Sequence, residues 1–229
     1  MAGLSEGNMI GLSVEEVKIN ITDFSRAMHN IEFDLACAVD YLYNELYYVW
    51  ASPKAVEFNK YRDNYTNVSK LVCTSRNVIS QNAIRLYNVM ARANGLDEFT
   101  DVDGVSIDNI NNIAQYTAWV GLDSLELLEI KDGLVGMNTL HVPNIRDAFV
   151  SKINDVLAEI DEVPSRIALF DPDGAIQSAF SGSIAKMKES VSTLVSEMKD
   201  AIDNALETEE INLKLAAKPM DAGYTSTNA

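Results

Sequence analysis

The chain carries few residues able to do chemistry. It holds two histidines and two cysteines among 229 residues. His29 and His141 lack metal-ligand spacing to each other or to a cysteine. No carboxylate stands at a spacing that would fix His29 as a general base. No glycine-rich phosphate loop and no Gly-x-Ser-x-Gly elbow occurs. Cys37 and Cys73 fall inside helical segments, at or beside apolar positions, and read as small buried hydrophobes. A disulfide between them stays open, because the segments that carry them run antiparallel. The expectation is a protein with no catalytic residues, cofactor or metal.

Positive charge is also short: 18 basic residues stand against 34 acidic ones, for a formal charge of −16. This balance repels phosphate backbones and anionic bilayers, and so argues against nucleic acid and membrane surfaces as partners. There is no run of 18 apolar residues, so no membrane span is expected and no apolar hairpin could form a pore. The first ten residues lack both a basic start and an apolar core, so they do not read as a secretory signal. The expectation is synthesis in the cytoplasm, with any secretion or cell-surface location reached without such a signal.

The chain is rich in helical periodicity. Ser13 followed by Glu16 has the form of a capping box. From there Val14, Val17, Ile21, Phe24, Met28, Ile31, Leu35, Ala38, Leu42, Leu46 and Val49 recur at steps of three and four. This predicts a helix of about 36 residues, about 54 Å long, with a narrow stripe that must pack along another long helix. Ser52-Pro53 supplies a cap and a first-turn proline. A second stripe then runs Phe58, Tyr61, Tyr65, Val68, Val72, Ser75, Ile79, Ala83, Leu86, Met90 and ends at Asn94-Gly95. Two arms of similar length joined by a few residues fold back antiparallel.

Residues 95–139 are predicted as an acidic linker followed by short bridging helices. Ser106 and Asp123 are the expected caps, and Gly133 and Gly136 the stops. Asp101-Val-Asp-Gly104 hints at a calcium loop, but the EF-hand register would put Phe99 and Ile110 at ligand positions. A second hairpin begins near Pro143. Its first stripe runs from Ile145 to Ile167, with Pro164 expected to kink or break the helix. Its second runs Ile176, Phe180, Ile184, Met187, Val191, Leu194, Met198, Ile202, Ala205. Residues 1–12 and 213–229 are expected to be loose ends.

The turns repeat. Trp50 precedes Ala55 and Val56, and Phe170 precedes Ala175 and Ile176, at one constant offset. Self-similarity of this kind favours duplication of one unit. The expected fold is all-α. Two long antiparallel helical hairpins, 13–94 and 140–212, stand in tandem as a four-helix-bundle-like unit bridged by short helices.

A long helix, then Trp50-Ala51-Ser52, then a helix of similar length beginning with Pro53, Ala55 and Phe58 resembles the WXG100 (ESAT-6-like) family of type VII secretion. Serine stands where that family has glycine, and the second copy reads Phe170-Asp171-Pro172. The likeness covers residues 10–94 and 140–212. It implies a helical hairpin exported without a signal peptide, often as partner or targeting factor for a toxin or effector. The family's Tyr-x-x-x-Asp/Glu export signal follows the second helix. The one match here, Tyr41 to Glu45, precedes the turn.

Tyr41, Tyr43, Tyr47, Tyr48 and Trp50 crowd the end of the first arm, and Tyr61 and Tyr65 begin the second. Tyrosine and tryptophan are enriched in protein interfaces. With Phe170 at the second turn, these are the candidate contact residues, with a helical effector or toxin, or self-association, as the partner. Packing of the same rings inside a wide bundle is the alternative reading. The expected function is a non-enzymatic interaction protein, secreted by or escorting an effector to type VII secretion. The alternative is a structural subunit of a filament, phage particle or injection apparatus.

Overall fold

The computed structural model describes residues 13–102, 105–106, 127–130 and 136–222. The order is α1 (Val14–Val49), β1 (Trp50–Ala51), α2 (Pro53–Phe58), α3 (Tyr61–Ala93), β2 (Asp101–Val102), β3 (Val105–Ser106), β4 (Gly136–Met137), α4 (Val142–Ala168) and α5 (Ala175–Ala222). The fold is all-α, with two small two-stranded ladders.

Side chains close to the start fix where α1, α2 and α5 begin. The Ser13 hydroxyl accepts from the Glu16 amide at 3.1 Å, and the Glu16 carboxylate accepts from the Ser13 amide at 2.9 Å, closing a full capping box. Ser52 accepts from the Ala55 amide, with Pro53 in the first turn of α2. The Asp171 carboxylate accepts from the Gln177 amide in the first turn of α5.

The second arm is not one helix. It bends at Asn59-Lys60, where Asn59, Lys60, Arg62 and Asp63 donate three residues back rather than four. Such bonds tighten the chain locally. The bend has partners. The Tyr43 hydroxyl donates to the Phe58 carbonyl at 3.2 Å. The Asn59 side chain brackets the Leu128 backbone, donating to its carbonyl at 2.8 Å and accepting from its amide at 3.0 Å.

Long helices pack in two directions. α1 lies against α3 and α4, and α5 lies against the same two. End contacts fix the sense of each. The start of α1 meets the end of α4 through Asn20 donating to the Leu169 carbonyl and Phe24 against Phe170. The end of α1 meets the start of α4 through the β1–β4 ladder, Trp50 opposite Met137. Asn64 near the start of α3 donates to Glu197 of α5. Neighbouring helices are therefore antiparallel, and the chain between α3 and α4 returns along the length of the molecule. Its first part is held by Asn88, which brackets Phe99 as Asn59 brackets Leu128.

The stripes read from periodicity form the core. From Val17 to Leu46 every stripe residue of α1 is buried, as are Ile145 to Ile167 in α4 and Met187 to Ala205 in α5. Several expectations change. The buried face of α1 is wide, because α1 packs against two helices and also buries Ser25, Glu32, Ala36, Val39 and Tyr43. Ser106, the expected cap, pairs with Asp101 in the β2–β3 ladder. Pro164 lies within a helix that continues to Ala168. α5 extends to Ala222, past the expected end near 212. The second bridging helix, expected from the Asp123 cap through Leu128, is absent at 127–130, where the backbone is irregular and Leu128 is held by Asn59 instead of by helical bonds. The rest of the expected bridging helices, and the loose ends 1–12 and 223–229, lie outside the described residues.

Candidate functional site

The reversal after α1 is built around Trp50. Its ring is buried, 5.4 Å centroid to centroid from Phe58, and its indole N–H donates to the Ser52 hydroxyl at 2.9 Å. The same hydroxyl caps α2. One side chain therefore ends α1 while its partner starts the returning arm. Phe58 also stacks on Tyr43 and Tyr61, so the turn closes over a small aromatic core.

This geometry sorts the candidate contact residues. Tyr43, Trp50, Tyr61, Tyr65 and Phe170 are buried, so none stands out from the surface as a contact ring. That corrects the expectation for these five, and the reason is physical: the arm packs against two neighbours, so residues off the first stripe still face protein. Burial raises the Tyr43 phenol above its ordinary range. Tyr65 is pushed up to about 12 by burial, against a hydrogen bond with Ser69. Tyr41 and Tyr47 are half-buried, with Lys152 5.2 Å from the Tyr41 ring and the Tyr47 hydroxyl 3.0 Å from a Glu129 oxygen. Tyr48 is 76% exposed and meets Tyr47 edge-on. Leu127, Ile130 and Leu140 are exposed at this same end of the molecule. Periodicity could not find them, because they sit on connections. A groove of about 390 Å³ opens beside the turn, between Lys54, Lys60 and Tyr61 on one wall and Glu197, Asp200 and Asn204 on the other.

No family model, curated protein or solved structure matches this chain.

A second cluster, unforeseen from the sequence, lies in the seam between α1 and α3. Ser25 and Glu32 on α1 face Ser69, Cys73, Arg76, Asn77 and Ser80 on α3, all buried. The Arg76 guanidinium donates to the Ser25 carbonyl at 3.2 Å. Glu32 Oε2, Asn77 Oδ1 and Ser80 Oγ are buried with no hydrogen-bond partner among the described residues. Burial raises the Glu32 carboxyl to about 7, with the charge of Arg76 working against the shift. Burial and the nearby Glu32 charge push the Cys73 thiol up to about 12, so it stays protonated and unreactive.

Both cysteines are free. Cys73 is buried but Cys37 is exposed, which corrects the reading of Cys37 as a core residue. Partial burial, with Asp34 and Asp40 beside it, raises the Cys37 thiol, which does not favour the reactive thiolate. Among the described residues there is no group of three His, Cys, Asp or Glu able to hold a metal ion. Among them, too, no helix is long and apolar enough to cross a membrane.

Proposed function

We propose that the protein is a non-enzymatic helical interaction partner of the WXG100-like kind. In this reading it is built from a duplicated hairpin and serves type VII secretion, either exported itself or escorting an effector or toxin. The observation that carries the reading is the turn at Trp50. An aromatic ring locks the reversal through Ser52 and Phe58, and an exposed apolar surface of Tyr48, Leu127, Ile130 and Leu140 lies at the same end. Exposed apolar residues gathered at one end of a molecule suit a contact with another protein. Duplication is supported by the matching roles of Trp50 and Phe170. Each is a fully buried aromatic where one long helix ends and a capped helix begins.

The test is chemical cross-linking in the native cell followed by recovery of the protein, with a Tyr48→Ala, Leu140→Ser variant beside it. The expected result is a helical protein captured by the natural chain and lost from the variant, together with loss of export in cells lacking the type VII machinery. Unchanged export in such cells would remove the secretion reading. Equal capture by the variant would remove the tip as its contact surface.

A further inference from the structure

The charges are distributed unevenly across the molecule. From Asn64 to Leu96 the chain has no acidic residue, although acids outnumber bases 34 to 18 overall. That stretch is nearly all of α3. On its outer side, a groove of about 400 Å³ runs between α3 and α5, lined by Asn67, Lys70, Leu71 and Thr74 from α3 and by Lys186 and Ser190 from α5. Among the described residues, no carboxylate lines it. Lys70 and Lys186 are exposed, and neither makes an ion pair among the described residues.

The opposite edge, between α1 and α4, has the reverse character. A groove of about 310 Å³ there is lined by Asp34, Asp155 and Glu159, over Ala38 and Val156. Lys152, the one cation lining it among the described residues, lies over the Tyr41 ring. None of the three carboxylates has an ion-pair partner among the described residues. Burial, with Asp34, Glu162 and Asp155 close by and Arg166 opposing, holds the Glu159 carboxyl above its usual range. The negative charges crowd one another, and a cation brought there would relieve them.

The two grooves stand at the same level along the helices. Ser25 of α1 meets Arg76 of α3, and Cys37 and Asp40 of α1 act on Tyr65 of α3. Asp34 therefore lies level with the Asn67–Lys70 stretch. Asp161 of α4 pairs with Lys188 of α5, which places Lys186 and Ser190 at that level too. α1 touches α3 and α4, and α5 touches both, so the α3–α5 edge and the α1–α4 edge are diametrically opposed.

We propose that the protein associates with itself side by side, the basic α3–α5 groove of one copy seated on the acidic α1–α4 groove of the next. The two surfaces differ, so the contact is heterologous. Each added copy leaves one groove of either kind free, which yields open rows rather than a closed pair. Complementary grooves of this kind set register and speed encounter, and salt weakens them. This inference does not depend on the tip being a contact site.

Sedimentation velocity and electron microscopy of the full chain test it, at about 50 mM and about 500 mM salt. Association beyond a dimer at low salt, weakened at least about tenfold at high salt, is expected. Lys70→Glu with Lys186→Glu makes both grooves acidic, and Asp34→Lys with Asp155→Lys makes both basic. All four side chains are exposed, so helicity and melting should be retained. Each double variant alone should stay monomeric, and a mixture of the two should associate again. A monomeric natural chain at low salt overturns the proposal. So does a variant that associates like the natural chain, or a mixture that stays monomeric.

Discussion

The α1–α3 seam and the α4–α5 seam are held by different means. Between α4 and α5 the buried residues are apolar: Ile153, Val156, Ile160 and Val163 against Ile184, Met187, Val191 and Leu194. Between α1 and α3 the apolar stripe is shared with Ser25, Glu32, Arg76, Asn77 and Ser80. An apolar seam tolerates sliding by a turn, since one aliphatic side chain replaces another. A buried guanidinium that must meet the Ser25 carbonyl does not. The α1–α3 seam thus gives up some stability for a fixed register, whereas the α4–α5 seam keeps its polar pairs, Arg146 with Asp203 and Lys188 with Asp161, at its margins.

The comparison breaks most sharply at Arg76. Its replacement by Ala leaves the buried Glu32 without an opposing charge and should cost about 3–5 kcal/mol in urea unfolding. Adding Glu32→Leu to Arg76→Met should recover most of that loss, because an apolar pair of similar size would make the first seam resemble the second. If the double replacement is as unstable as the single one, the seam is not governed by charge burial.

Trp50→Ala and Phe170→Ala probe the two turns. Each removes a fully buried ring and should cost about 3–5 kcal/mol. Trp50→Phe should cost less, yet more than a ring swap alone, because the Ser52 hydroxyl loses the indole donor.

Glu32 sharpens the comparison through pH. A freely solvated glutamate titrates near 4.5, whereas this one is raised to about 7 by burial. The folded state therefore binds the proton more tightly than the unfolded chain. Its stabilising contribution is complete below about pH 4.5, falls as pH rises to about 7, and is absent above. Glu32→Gln should remove this slope. Urea midpoints of the two proteins should diverge from pH 5 to pH 8 in favour of Gln, by about 1–3 kcal/mol. A constant gap would place Glu32 in water.

The smallest effect belongs to the surface of the α4–α5 seam. Lys188 pairs with Asp161 across α4 and α5, but both side chains are about half exposed. Lys188→Ala should change the thermal midpoint by an amount corresponding to less than about 1 kcal/mol, and by less still in high salt.

Periodicity and capping residues determined the long helices, the starts of α1 and α2 and most of the core. Steps of three and four residues state which side of a helix meets protein, and Ser13, Ser52 and Pro53 act through the backbone of their own first turns. Tertiary structure decided the rest. Which of Tyr41, Tyr43, Tyr47 and Tyr48 stay outside depends on α1 having two neighbours, which no single helix pattern records. The bend at Asn59 exists with the Leu128 backbone to bracket and the Tyr43 hydroxyl to receive. Those partners lie on other elements, and a short apolar-polar run cannot announce them. Glu32 and Arg76 likewise read as ordinary surface charges along the chain. Only the packing of α1 on α3 puts them out of water, and only the order of the helices in space puts a basic and an acidic groove on opposite edges.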